Sequence, residues 1–247
     1  MIRVIPNIIT LMNLACGCIA IVLVFDGALI TASWLIIAAA ILDFFDGTVA
    51  RLLNARSEMG KQLDSLADIV SFGVAPSCII YTLMVTALGL QADHYIQFAA
   101  IPAFFIAVFS ALRLARFNID STQTHSFRGL PTPVNGLFIC ALPFILIQAQ
   151  TKGGIHLLFG SWLDNYFVLL GLTITMCFLM VSNLPLIGFK TQLFIWRKSK
   201  FKYLFVVAAV VLILLLGTTA APFVLGSYIV ISLIDHYTAK HSDVEPA

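Results

Sequence analysis

Four aspartates occupy positions where so apolar a chain should not carry charge. Asp43 and Asp46 are three residues apart, and Asp64 and Asp68 four apart, so each pair shares one face of a helix. Both pairs fall within or at the ends of apolar runs, where an ionised carboxylate is costly unless it is paired or bound to a cation. A short loop joins the two runs, which makes them antiparallel neighbours and lets the faces converge. Converging carboxylates repel, and a hard divalent cation, or two, relieves this by taking oxygen ligands from both helices. With no His or Cys in the set, Mg²⁺ or Mn²⁺ is favoured over zinc. Gly47 and Gly60 remove side chains beside the acids, and Arg51 lies about two turns beyond Asp43, where it can neutralise a phosphate. Carboxylate-held cations beside an Arg are the apparatus of phosphate-ester chemistry. Phosphoryl transfer is therefore the leading reaction class on these residues alone.

The elements that must position the acids are set by composition. Of 247 residues, 60% are hydrophobic and only 11% charged, too little polar surface to cover a soluble domain of this size. A net charge of +2 offers no basic field for nucleic acid. Apolar runs predict helices near 5–25, 28–51, 62–90, 96–118, 134–150, 166–186, 202–217 and 220–235. The expected fold is an all-α, polytopic membrane bundle in one domain. It comprises a six-helix core over 1–186, then a basic loop and a helical hairpin over 187–247, eight spans in total. Gly217 and Pro222 mark the turn of that hairpin. The first run reads as an uncleaved helix rather than a signal peptide, since it lacks a clear cleavage site.

With the N-terminus in the cytoplasm, every Lys and Arg but Lys152 falls on the cytoplasmic side, as do the four acids. The stretch Lys190–Lys202 reads as a headgroup and orientation patch. Asp26, Asp93 and Asp164 fall in outer loops and read as solvated. Cys16, Cys18, Cys78, Cys140 and Cys177 lie in apolar stretches at no zinc-binding spacing and read as packing thiols. The five histidines form no constellation.

Written out, the acidic segment is Asp43-x2-Asp46-Gly47-x2-Ala50-Arg51-x8-Gly60-x3-Asp64-x3-Asp68. It resembles, without departure, the signature of the CDP-alcohol phosphotransferases, integral membrane enzymes of phospholipid synthesis. The resemblance implies that Asp43, Asp46 and Asp64 hold two metal ions, with Asp68 both a ligand and the general base. It implies further that Gly47, Ala50, Arg51 and Gly60 line the site for the cytidine diphosphate moiety. Two further segments resemble the serine-accepting members of the family. One runs from Pro6-Asn7 through Thr10 to Asn13-Leu14 and Gly17. The other joins Arg113-Leu-Ala-Arg116-Phe-Asn118 to Phe127-Arg128-Gly129-Leu130-Pro131. Residues 6–10 also suit a simple helix start.

On this resemblance the substrates are CDP-diacylglycerol and L-serine, the products phosphatidylserine and CMP, and the protein a homodimer in the cytoplasmic membrane. Arg113, Arg116, Asn118 and Arg128 are candidates for the acceptor or phosphate subsite, because fixed Arg forks grip carboxylates and phosphates. Glycerol 3-phosphate or an inositol phosphate are alternative acceptors. A cation transporter is the competing class. It is disfavoured because the acids gather toward one end of two helices and no symmetric pair of broken helices is visible.

Overall fold

The structure, a computed structural model, describes residues 4–55, 57–89, 97–119, 127–186 and 200–242. Arg3, Arg56, Asp93 and nearly all of the 190–202 basic patch, on which part of the charge reading rests, lie outside the described residues.

Helix α1 (Val4–Phe25) carries no charge and turns one stripe inward: Pro6, Thr10, Asn13, Gly17, Ala20 and Val24, at alternating spacings of three and four. Ile8, Leu11, Met12, Ile19 and Val22 on its other faces are exposed, as lipid-facing side chains should be. The chain reverses at Gly27, whose φ of +79° suits glycine, and α2 (Leu29–Leu52) returns along α1. Helix α3 (Glu58–Ala87) starts at Ser57, whose side chain accepts from the Gly60 N–H at 3.0 Å. It begins at 58 rather than 62 because this cap, followed by Glu58, favours a helix end that the apolar run does not reveal.

The interior of α3 is not regular. Residues Ile69–Val74, directly after Asp68, form a π-helical turn. Small residues fit this turn to three neighbours. A Cβ on Gly17 of α1 would lie 2.5 Å from Ser71 Oγ, and one on Gly73 3.1 Å from the Ser110 Cβ. One on Gly136 would lie 3.0 Å from the Phe72 Cβ. The following turns, Ala75–Ala87, are the most buried part of the bundle.

Helix α4 (Phe98–Ile119) opens with a 3-10 stretch through Pro102. Helix α5 (Thr132–Lys152) ends at Gly153 and Gly154, both with positive φ. The next segment departs from expectation: the apolar run before 166 forms its own short helix, α6 (Ile155–Leu163), bent 85° from α7 (Tyr166–Val181). Asn165 makes the bend by accepting from the N–H groups of Phe167 and Val168. Helix α7 stops short of 186 because Pro185–Leu186 (β2) pairs antiparallel with Phe127–Arg128 (β1). The pairing continues from Gly129 N to Leu184 O at 2.9 Å, and Leu130 N donates to the Leu179 carbonyl near the end of α7, also at 2.9 Å. At Gly129, φ is +77° and a Cβ would run into the Met180 carbonyl, so this loop admits only glycine.

Six helical stretches are long and apolar enough to cross a membrane, seven if α6 and α7 together count as one broken span. The last of the six, Tyr203–Asp235, is 33 residues long but not straight. The rings of Phe205 and Tyr228 are 5.4 Å apart, whereas a straight helix would separate them by about 34 Å at 1.5 Å per residue. The stretch is the expected hairpin: α8 (Lys200–Leu216) reverses at Gly217, φ +61°, through a 3-10 turn into α9 (Ala221–Ser242). The chain is thus an all-α, polytopic membrane protein. Cys78, Cys140 and Cys177 are buried and all five cysteines are free thiols.

Candidate active site

Helices α2 and α3 both pack along α1, and carboxylate oxygens of Asp43, Asp64 and Asp68 come within 4.8 Å of one another. Asp43 and Asp64 are half-buried and Asp68 is 7% exposed. The donor set is three carboxylates with no nitrogen or sulfur among them, which suits a hard divalent cation.

Asp46 lies outside this triad. It is 5% exposed, and the Thr10 hydroxyl of α1 donates to its Oδ2 at 2.7 Å while also reaching the Pro6 carbonyl at 3.0 Å. Thr10 is therefore not merely part of a helix start: α1 orients one of the four acids. Asn7 serves the same corner, since its Oδ1 lies where a Cβ on Gly60 would be only 3.2 Å away. A Cβ on Gly47, by contrast, would meet open space beside the acids. Ala50 follows on the same helix, half-buried. Arg51, exposed at the end of α2, folds back so that its Nε donates to the Gly47 carbonyl at 3.0 Å.

Arg113, 8% exposed, donates from Nη1 to Thr132 Oγ1 at 2.9 Å and lies within electrostatic reach of Asp68 and Tyr228. Of the proposed cations with described side chains, it alone is built into the bundle. Arg116 is exposed at the end of α4. Asn118 ties that end to α3: its Nδ2 donates to Ser65 Oγ at 2.8 Å, and its carbonyl accepts from Lys61 at 3.2 Å. It sits opposite the residue next to Asp64. The Arg128 backbone lies in β1, while its side chain is outside the described residues.

Thr132 and Tyr228 escaped a reading of the sequence, and Thr10 was visible there only as part of a segment, with no role of its own. Thr10 and Thr132 carry a signal, a hydroxyl residue on the inward stripe of an apolar helix. Tyr228 carries none, because nothing in the sequence brings α9 within electrostatic reach of Arg113.

Residues 3–177 match the sequence profile of the CDP-alcohol phosphatidyltransferase family. A CDP-diacylglycerol–serine O-phosphatidyltransferase of Helicobacter pylori is 36% identical over 187 residues, covering 75% of this chain and 72% of that one. The enzyme of the same name from Bacillus subtilis is 37% identical over 153 residues, 60% of this chain and 82% of that one. An archaetidylserine synthase of Methanothermobacter thermautotrophicus is 36% identical over 137 residues, 54% and 55% of the two chains.

Proposed function

The chain belongs to the CDP-alcohol phosphatidyltransferase family, and from that premise we propose that it transfers the phosphatidyl group of CDP-diacylglycerol to the hydroxyl of L-serine. The protein is a phosphatidylserine synthase type enzyme of phospholipid synthesis. The observation that carries the chemistry is the convergence of Asp43, Asp64 and Asp68 from two helices. We assign those three, with Asp46 held by Thr10, as the ligands of divalent cations, Mg²⁺ or Mn²⁺. When bound, the cations would neutralise the diphosphate and stabilise the CMP oxygen as it departs.

The protein's own groups account for the rest. The serine hydroxyl attacks the lipid-side phosphorus, its proton passes to the Asp68 carboxylate, and the phosphorus–oxygen bond to CMP breaks. Open space at Gly47 leaves room for the nucleotide, with Ala50, Arg51 and Gly60 around it. Arg113 is the acceptor-side cation, with Arg116, Asn118 and Arg128 on the same side of the bundle. Because burial in an apolar bundle strengthens each charged contact, Arg113 outweighs the exposed Arg116. We take residues 1–186 as the catalytic core, to which 187–247, containing the α8–α9 hairpin, is appended. The positive-inside distribution of charge supports an N-terminus and active site facing the cytoplasm, and family membership is the ground for reading the protein as a homodimer.

The decisive experiment offers purified protein CDP-diacylglycerol with Mg²⁺ or Mn²⁺ and follows CMP release with serine, glycerol 3-phosphate, inositol phosphate or no alcohol. Release is expected with serine. Release only with another alcohol would remove serine and leave the metal site standing.

A further inference from the structure

Two carboxamides in the bundle are unaccounted for by the chemistry above. Asn13 on α1 and Asn135 on α5 are each 0% exposed. None of their four side-chain atoms, Nδ2 or Oδ1, has a hydrogen-bond partner among the described residues. Such groups inside an apolar bundle are costly unless something meets them.

Their location says what that is. Asn13 lies one helical turn beyond Thr10, which orients Asp46. Asn135 lies one turn beyond Thr132, which accepts from Arg113. Both flank the π-helical turn that follows Asp68. Ser71 of that turn donates to the Asn13 carbonyl at 3.0 Å, and Phe72 packs on Gly136, the neighbour of Asn135. Arg113 Nε, in the same layer, is also buried without a hydrogen-bond partner among the described residues.

We infer that Asn13 and Asn135, together with Arg113, bind the amino and carboxylate groups of the acceptor, a small zwitterionic amino alcohol. The inference rests on the acceptor reading above and assigns it residues. A carboxamide presents donors and an acceptor, and here both kinds are unmet. The diphosphate of the donor lipid has acceptors only, so it would leave both Oδ1 atoms bare. A polyol phosphate has hydroxyls that could donate to them, but no ammonium to make that bond charge-assisted. A zwitterion meets both kinds at once: its ammonium donates to Oδ1, and its carboxylate accepts from Nδ2 and from Arg113 Nε through charge-assisted bonds.

The test uses full-length protein with CDP-diacylglycerol and Mg²⁺. Initial rates are measured against L-serine and against 3-hydroxypropanoate, which keeps the hydroxyl and carboxylate but lacks the ammonium. In Asn13→Ala and Asn135→Ala the serine KM should rise about tenfold or more, with the KM for CDP-diacylglycerol within about twofold of wild type. The preference for serine over 3-hydroxypropanoate should shrink by a similar factor. A purely structural role would lower both rates together and leave that preference intact, which would overturn the inference, as would an unchanged serine KM. Asn13→Ser and Asn135→Ser, which keep a hydroxyl in place, supply the same readings should the alanine variants fail to fold. Wild-type protein that releases CMP only with a different alcohol would overturn the acceptor reading itself, an outcome visible before any variant is made.

Discussion

Among the described residues α5 carries a polar cluster at each end, and the two are built on opposite principles. At the far end, Gln148 Oε1 accepts from the Thr219 hydroxyl at 2.8 Å and from its N–H at 3.2 Å, and His156 Nδ1 meets the same hydroxyl at 2.6 Å. Only the Thr218 hydroxyl beside it is buried without a hydrogen-bond partner among the described residues. At the near end, roughly 24 Å along the helix at 1.5 Å per residue, three carboxylates crowd together and two whole carboxamides are unmet. A cluster that closes on itself holds helices together, here the turn of the α8–α9 hairpin against α5 and α6. A cluster left open is completed by what binds there.

That contrast can be broken by substitution. The largest effect is expected at the open end: Asp64→Asn should lower serine-dependent CMP release about a thousandfold or more, since cation-held charge is worth several kcal/mol in the transition state. The protein should still insert and melt as wild type, and near-normal turnover in this variant would sink the metal assignment. Next comes Thr10→Val, which removes the hydrogen bond that orients Asp46. Loss of such supporting partners costs about 10- to 100-fold in activity or metal affinity. Titrating activity against Mg²⁺ in this variant should show a raised requirement for the ion.

Smaller effects fall on stability. Gly17→Ala drives a methyl onto Ser71, whose Cα would lie 2.9 Å from it, so backbone must shift at a cost of about 1–3 kcal/mol, read as a lower melting temperature. At the closed end, Gln148→Leu should cost only about 1 kcal/mol and leave kcat and the serine KM unchanged. A change in serine KM there would erase the distinction between the two ends.

The sequence reports these two ends unequally. Asp43, Asp64 and Asp68 were legible because carboxylates at helical spacing inside apolar runs have no packing explanation, while the role of α1, along which both of their helices pack, was not. The hairpin turn at Gly217 was legible for a similar reason, a glycine in a run too long for one span. What stayed hidden depends on contacts between distant segments. Thr10 reaches Asp46 across 36 positions, and the Phe127–Arg128 strand closes on Pro185–Leu186. His156 gave no sign of chemistry, and its partner Thr219 lies 63 residues away. The break between α6 and α7 was missed because apolar content says where a chain can lie in lipid, not where it bends.

The π-helical turn after Asp68 has one more consequence. It carries an extra residue over the α-helical path, and the widened turn absorbs it. Were the same residues wound as an unbroken α-helix, everything from Ala75 onward would rotate by about 100° relative to Asp64 and Asp68. The buried wall of the bundle would be turned out to lipid while the acids kept their places. The widened turn thus lets one helix serve two registers, its acids toward the site before the turn and its apolar wall toward the core after it.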